Sequence, residues 1–189
     1  MGFGKSPPLT TPYSLDDYVS LVFEFVNSLG IDSYDILAHS FGGRIAIRLA
    51  LKDKRADKII LTGSAGLKPR RTIIYYIKVY LYKILKKILP KKYLKGFGSS
   101  EYKSLSDVMK LSYLKIVNDH QDSEVKNLEN KTYLIYGNRD RQTPLYMAKK
   151  FNKLIKNSTL TVISGAGHFA FVDNPLLFNA LIKEFLYGD

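Results

Sequence analysis

The stretch Ala38-His39-Ser40-Phe41-Gly42-Gly43 constrains this chain more than any other, because it sets a serine between an apolar strand and a helix. Asp35-Ile36-Leu37-Ala38 reads as the strand. Gly43 to Lys52 reads as the helix, with Ile45, Ile47, Leu49, Ala50 and Leu51 as its apolar residues. A serine held on so sharp a turn projects its hydroxyl above a sheet, beside the positive end of the following helix. Small neighbours are required: a side chain larger than methyl at Ala38 or Gly42 is expected to collide with the crossing backbone.

Two later segments give this turn its context. Thr132-Tyr133-Leu134-Ile135-Tyr136 is a β-rich run that ends in Gly137-Asn138-Arg139-Asp140, with Pro144 opening the next helix. Leu160-Thr161-Val162-Ile163 is another short strand, followed by Ser164-Gly165-Ala166-Gly167-His168. Each polar residue sits just past the carboxyl end of an expected strand, where open α/β sheets place their sites. The chain order is Ser40, Asp140, His168.

The remaining elements follow the same rhythm. Ser14 is placed to cap a helix from Leu15 to Leu29, with Asp17 three residues on and Gly30 at the end. Strand 34–39, helix 43–53, strand 57–63, strand 132–136, helix 144–156, strand 159–163 and helix 174–186 complete the reading. Strands alternating with helices imply an α/β fold, a parallel sheet covered on both faces. At 189 residues one domain, 1–189, is expected. The interval 68–128 interrupts the alternation between two strands.

In these motifs the chain resembles the α/β-hydrolase family. Ala38 to Gly43 matches that family's nucleophile elbow, with alanine in the first position of G-x-S-x-G. Gly137 to Asp140 matches its acid turn, Gly167-His168 its histidine loop, and Gly2-Phe3-Gly4-Lys5-Ser6 the loop after its fourth strand. The resemblance implies Ser40 as nucleophile, His168 as general base and Asp140 as the acid that orients the imidazole. It further implies the backbone N–H of Phe41 as an oxyanion donor and a helical lid inserted over 68–128. No cofactor is implied. Serine at the elbow, in place of aspartate, sets the chain apart from the dehalogenase and epoxide-hydrolase branches.

Family members carry further strands before the Gly2 loop, and the loop after their third strand supplies half of the oxyanion hole. The expectation is therefore an N-terminally truncated hydrolase, with Phe41 as its identifiable oxyanion donor. A lost donor typically costs on the order of 10²–10³ in rate. The elbow strand is then expected to be an exposed apolar edge, through which the chain associates with itself.

Charge is concentrated in one segment. Between Lys68 and Lys95 there are ten Lys/Arg residues and no acid, out of a net charge of +12. On a helical wheel Ile74, Ile77, Leu81, Ile84 and Ile88 share one face, while Lys78, Lys83, Lys86 and Lys87 share the other. The pattern suits either a lid with solvated lysines or a helix lying on an anionic membrane surface. Regular apolar spacing and the lack of a binding motif argue against nucleic acid. The chain has no cysteine, and His39, His120 and His168 lack ligand-like spacing, so no metal is expected. His39 reads as packed structure. Without a leading signal segment or a run of about 20 apolar residues, the expected location is the cytoplasm, with peripheral membrane contact through 68–95.

Two functional readings remain open at this point. The first is a serine hydrolase acting on a carboxylic ester or related small acyl substrate. The second is a catalytically incomplete hydrolase fragment that binds a partner or a membrane.

Overall fold

A computed structural model of the chain describes residues 1–70, Tyr80, Ile84 and 104–188. They divide into two compact units: Met1–Pro12 with Pro69–Leu114, and Tyr13–Lys68 with Lys115–Asp189. The pattern expected over 74–88 lies outside the described residues, apart from Tyr80 and Ile84, and so does most of the basic segment.

The second unit holds the sheet. Its order of elements is α1 (Leu15–Ser28), β1 (Tyr34–His39), α2 (Phe41–Lys52) and β2 (Ala56–Thr62), and, after the intervening segment, β3 (Thr132–Gly137). A helix α3 (Asp107–Asn118) and a 3₁₀ turn at Glu124–Asn127 precede β3. Then come α4 (Leu145–Leu154), β4 (Ser158–Ile163), the short α5 (Ala170–Asp173) and α6 (Pro175–Tyr187). Among the described residues the sheet has four strands, all parallel, in the order β1-β2-β3-β4. The sequence places the four strands and α1, α2, α4 and α6 within about two residues of their ends, the margin that frayed termini leave; α3, the 3₁₀ turn and α5 have no counterpart in that reading.

Alternation along the strands builds two apolar faces. Ile59 and Leu61 of β2 and Leu134 and Tyr136 of β3 face one side, where they pack with Ile47 of α2 and Ala148 and Phe151 of α4. Ile60, Tyr133, Ile135 and Ile163 face the other, against Phe178 of α6. Burial on both faces explains why β3 reads as an unbroken apolar run, all six residues being buried. Val125 and Leu128, just past α3, complete the first core.

Local chemistry sets the ends of α1. Ser14 Oγ accepts from the Asp17 N–H at 3.3 Å, while the Asp17 carboxylate accepts from the Ser14 N–H at 2.6 Å. Gly30, at φ 62°, turns the chain out of the helix. Arg48 of α2 joins three segments, donating to Asp16, Asp119 and Glu124. In the first unit, the Gly2 N–H donates to Pro7 C=O at 2.8 Å and closes the Gly2–Ser6 loop. No described helix is long and apolar enough to cross a membrane.

Candidate active site

A parallel sheet brings the carboxyl ends of its strands to one edge, and the three polar residues singled out in the sequence all follow such ends. Ser40 comes directly after β1, Asp140 follows β3, and His168 follows β4.

Ser40 occupies φ 52°, ψ −114°, the one described non-glycine residue at positive φ. The geometry is held from both sides: its N–H donates to Thr62 C=O, and its C=O accepts from Gly43 and Ala65. A Cβ on Gly42 would meet only the Ala38 Cβ, at 3.8 Å, so the two small positions face one another in ordinary contact. The tighter constraint is one residue on. A Cβ on Gly43 would run into the Ser64 side chain, because α2 starts directly against the loop after β2. That approach depends on the path of a second strand, which a local motif does not contain.

His168 is buried and links the other two residues. Its Nδ1 lies 2.8 Å from Asp140 Oδ2, and its Nε2 lies 3.0 Å from Ser40 Oγ. An ionised carboxylate can only accept, so Nδ1 carries the proton and Nε2 accepts from the Ser40 hydroxyl. The structure thus brings Ser40, Asp140 and His168 into one hydrogen-bonded line. Phe41 opens α2, and its N–H belongs to that helix's first turn, at the positive end of the helix dipole.

Asp140 is buried and well supplied with donors. Its Oδ1 accepts from the N–H groups of Gln142 and Thr143, at 2.8 and 2.9 Å. Its Oδ2 accepts from the Thr143 hydroxyl at 2.6 Å as well as from His168. Burial pushes this carboxyl up, but the hydrogen bonds from Thr143 and His168 outweigh it and hold the group below its ordinary value. Thr143 went unnoticed in the sequence. The signal available was Asp-x-x-Thr before Pro144, a turn in which an aspartate folds back on the amides that follow it.

His39 lies behind the edge that carries these three residues. Its Nε2 donates to the His168 C=O at 3.0 Å, and its ring centroid sits 4.6 Å from that of His168. Phe169 and Phe171 flank it, each at 5.2 Å. Burial, followed by the nearby His168, lowers its proton affinity despite the backbone carbonyl that favours the cation. It is a packed ring that fixes the histidine loop. Gly137 does the same for β3, since a Cβ there would strike the Ala166 and Gly167 carbonyls. Among the described residues no group of three or more His, Asp or Glu is placed to hold a metal ion.

Comparison with known proteins places this geometry in context. The sequence profile of the alpha/beta hydrolase family matches residues 1–181. A 2-hydroxymuconate semialdehyde hydrolase of Pseudomonas putida is 24% identical, over 98% of this chain and 74% of its own length. Among solved structures, a meta-cleavage product hydrolase of Pseudomonas fluorescens IP01 superposes with a TM-score of 0.71 at 24% identity, covering 98% of this chain and 76% of that one. An esterase of Exiguobacterium antarcticum gives 0.73 at 21% identity, covering 98% and 78%.

Proposed function

This chain belongs to the alpha/beta hydrolase family, and from that premise we propose that it is a serine hydrolase that cleaves a carboxylic ester or related acyl substrate through an acyl-enzyme on Ser40. The observation that carries the reading is the unbroken hydrogen-bonded line from Asp140 through His168 to Ser40.

In the first half-reaction Ser40 Oγ bonds to the substrate carbonyl carbon while His168 Nε2 takes the hydroxyl proton. The carbonyl π pair moves onto oxygen, beside the Phe41 N–H and the positive end of α2. Collapse of this intermediate restores the carbonyl and breaks the bond to the leaving group, which takes the proton from Nε2. Water then attacks the acyl-enzyme, giving its proton to Nε2, and the second collapse returns that proton to Ser40 as the acid leaves. Asp140 stays ionised throughout, keeping the Nδ1 proton in place and stabilising the imidazolium. No cofactor or metal enters the scheme.

A second reading, hydrolysis of a meta-cleavage product, follows the similarity to the Pseudomonas fluorescens hydrolase of that description. It uses the same three residues on a different substrate.

Labelling with a fluorophosphonate, read by intact mass, tests the chemistry, since such probes need an activated serine and not merely an exposed one. One adduct on the parent and none on Ser40→Ala is expected. No adduct on folded parent protein would overturn the assignment and leave a non-catalytic binding role. Rates on p-nitrophenyl acyl esters against those on a meta-cleavage product then separate the two substrate readings.

A further inference from the structure

Where β2 runs into its loop, Thr62, Gly63, Ser64 and Ala65 each touch a different part of the Ser40 turn or of His168. The Thr62 C=O accepts from the Ser40 N–H at 3.2 Å, and the Ala65 N–H donates to the Ser40 C=O at 3.0 Å. A Cβ on Gly63 would meet His168 Nδ1 and the His168 carbonyl oxygen, each at 3.1 Å. Ser64 fills the space that a Cβ on Gly43 would need. A tyrosine of the next strand holds this loop in place. The hydroxyl of Tyr136, near the end of β3, accepts from the Ser64 N–H at 2.9 Å and donates to the Ser64 C=O at 3.1 Å. Both residues are fully buried, so water is no ready substitute for either bond. Burial also pushes the phenol's pKa up, which keeps it a neutral O–H able to donate and accept at once. Phenylalanine would fill the same core beside Leu134, so packing alone does not call for the hydroxyl.

The position of Ala65 matters because a peptide unit is planar and trans, its C=O and N–H pointing in opposite directions. The Ser40 C=O and the Phe41 N–H belong to one such unit. Whatever fixes the carbonyl therefore also aims the N–H. We propose that Tyr136 is a positioning residue for the reaction at Ser40: by clamping both peptide groups of Ser64 it sets Ala65, and through Ala65 the peptide that directs the Phe41 N–H toward the forming oxyanion. This role rests on the serine-hydrolase reading. Tyr133 of the same strand supplies a natural contrast. Its hydroxyl pairs with Thr161 Oγ1 at 2.7 Å, on the opposite face of the sheet and away from the loop.

Tyr136→Phe and Tyr133→Phe each remove one hydroxyl from β3, and circular dichroism is expected to show both folded. On a p-nitrophenyl ester, kcat should fall about tenfold or more in Tyr136→Phe with KM little changed, because a misaimed donor weakens the transition state and not substrate binding. Tyr133→Phe should keep the parent's kcat. Amide hydrogen exchange reads the clamp without any turnover. The Ala65 amide, whose own acceptor the substitution leaves untouched, should lose protection in Tyr136→Phe and keep it in Tyr133→Phe. In the parent, the Ser64 and Ala65 amides should exchange as slowly as those of β3, a measurement that stands should Tyr136→Phe fold poorly. An unchanged kcat in folded Tyr136→Phe overturns the proposal. So do equal losses in the two variants, an Ala65 amide still protected in Tyr136→Phe, or Ser64 and Ala65 amides that exchange fast in the parent. A parent that takes no fluorophosphonate overturns the hydrolase reading instead, and the exchange at Ala65 still decides for or against the clamp.

Discussion

Ser40 holds a backbone conformation that a side chain ordinarily avoids, and residues so placed store about 1–3 kcal/mol. Glycine takes φ 52° without that cost. Ser40→Gly is therefore expected to melt higher than the parent, by a few degrees for a chain of this size, while losing all fluorophosphonate labelling. A scanning calorimetry trace that falls or stays level would show that the turn is not strained. Thr143 supports the same site from the acid side. Thr143→Val removes a hydroxyl that donates to a carboxylate, an interaction worth about 1.5–3 kcal/mol. The rate of the proposed hydrolysis should drop by about tenfold or more, and Thr143→Ser should recover most of it. The Asp140 carboxyl, now held low, should rise in the valine variant, so the acid limb of its pH–rate profile should move to higher pH. An unchanged limb would mean that the two backbone amides suffice. The sequence revealed Ser40, Asp140 and His168 because each follows a strand in a recognisable turn. Thr143 stayed hidden because its role depends on the fold of the turn between Asp140 and Pro144.

The elements themselves follow from local rules wherever a cap or an alternating pattern is present. Ser14 and Asp17 announce α1, and unbroken apolar runs announce β2 and β3. Contacts between elements are where local reading stops: the clash that demands glycine at 43 comes from Ser64, and the one that demands it at 137 comes from the loop after β4. The junction of α2 with β2 is a further case. Asp53, at the end of α2, accepts from the Arg55 guanidinium and from the Tyr34 hydroxyl of β1. The Arg55 hydrogen bonds, against the opposing effect of burial, bring its carboxyl down to about 2 from an ordinary 3.8. A carboxyl lowered on folding contributes stability that is complete above its unfolded value and is lost as pH falls through the folded one. Melting temperature should therefore decline between pH of about 4 and about 2. In Asp53→Asn that part of the decline should be shallower, and a parallel curve for the two proteins would remove Asp53 from the account.

For the molecule as a whole, alternating strands and helices were enough to read a parallel sheet, and the turns that follow its strands were enough to single out three residues that the structure brings together. The distribution of charge carries the remaining expectation. The ten cations of Lys68 to Lys95 leave a net +2 for everything else, so any long-range attraction to an anionic surface must come from that segment. Each lysine or arginine near an anionic bilayer contributes about 1 kcal/mol, an attraction that decays within a Debye length. The full chain should thus sediment with vesicles containing phosphatidylserine at low ionic strength, remain in solution with phosphatidylcholine alone, and be released as salt is raised. Reversing Lys83, Lys86 and Lys87 to glutamate should abolish the vesicle binding without affecting fluorophosphonate labelling of Ser40. Failure to bind at low salt would instead identify these lysines as the solvated outer face of a lid, charged for solubility and neutral toward membranes.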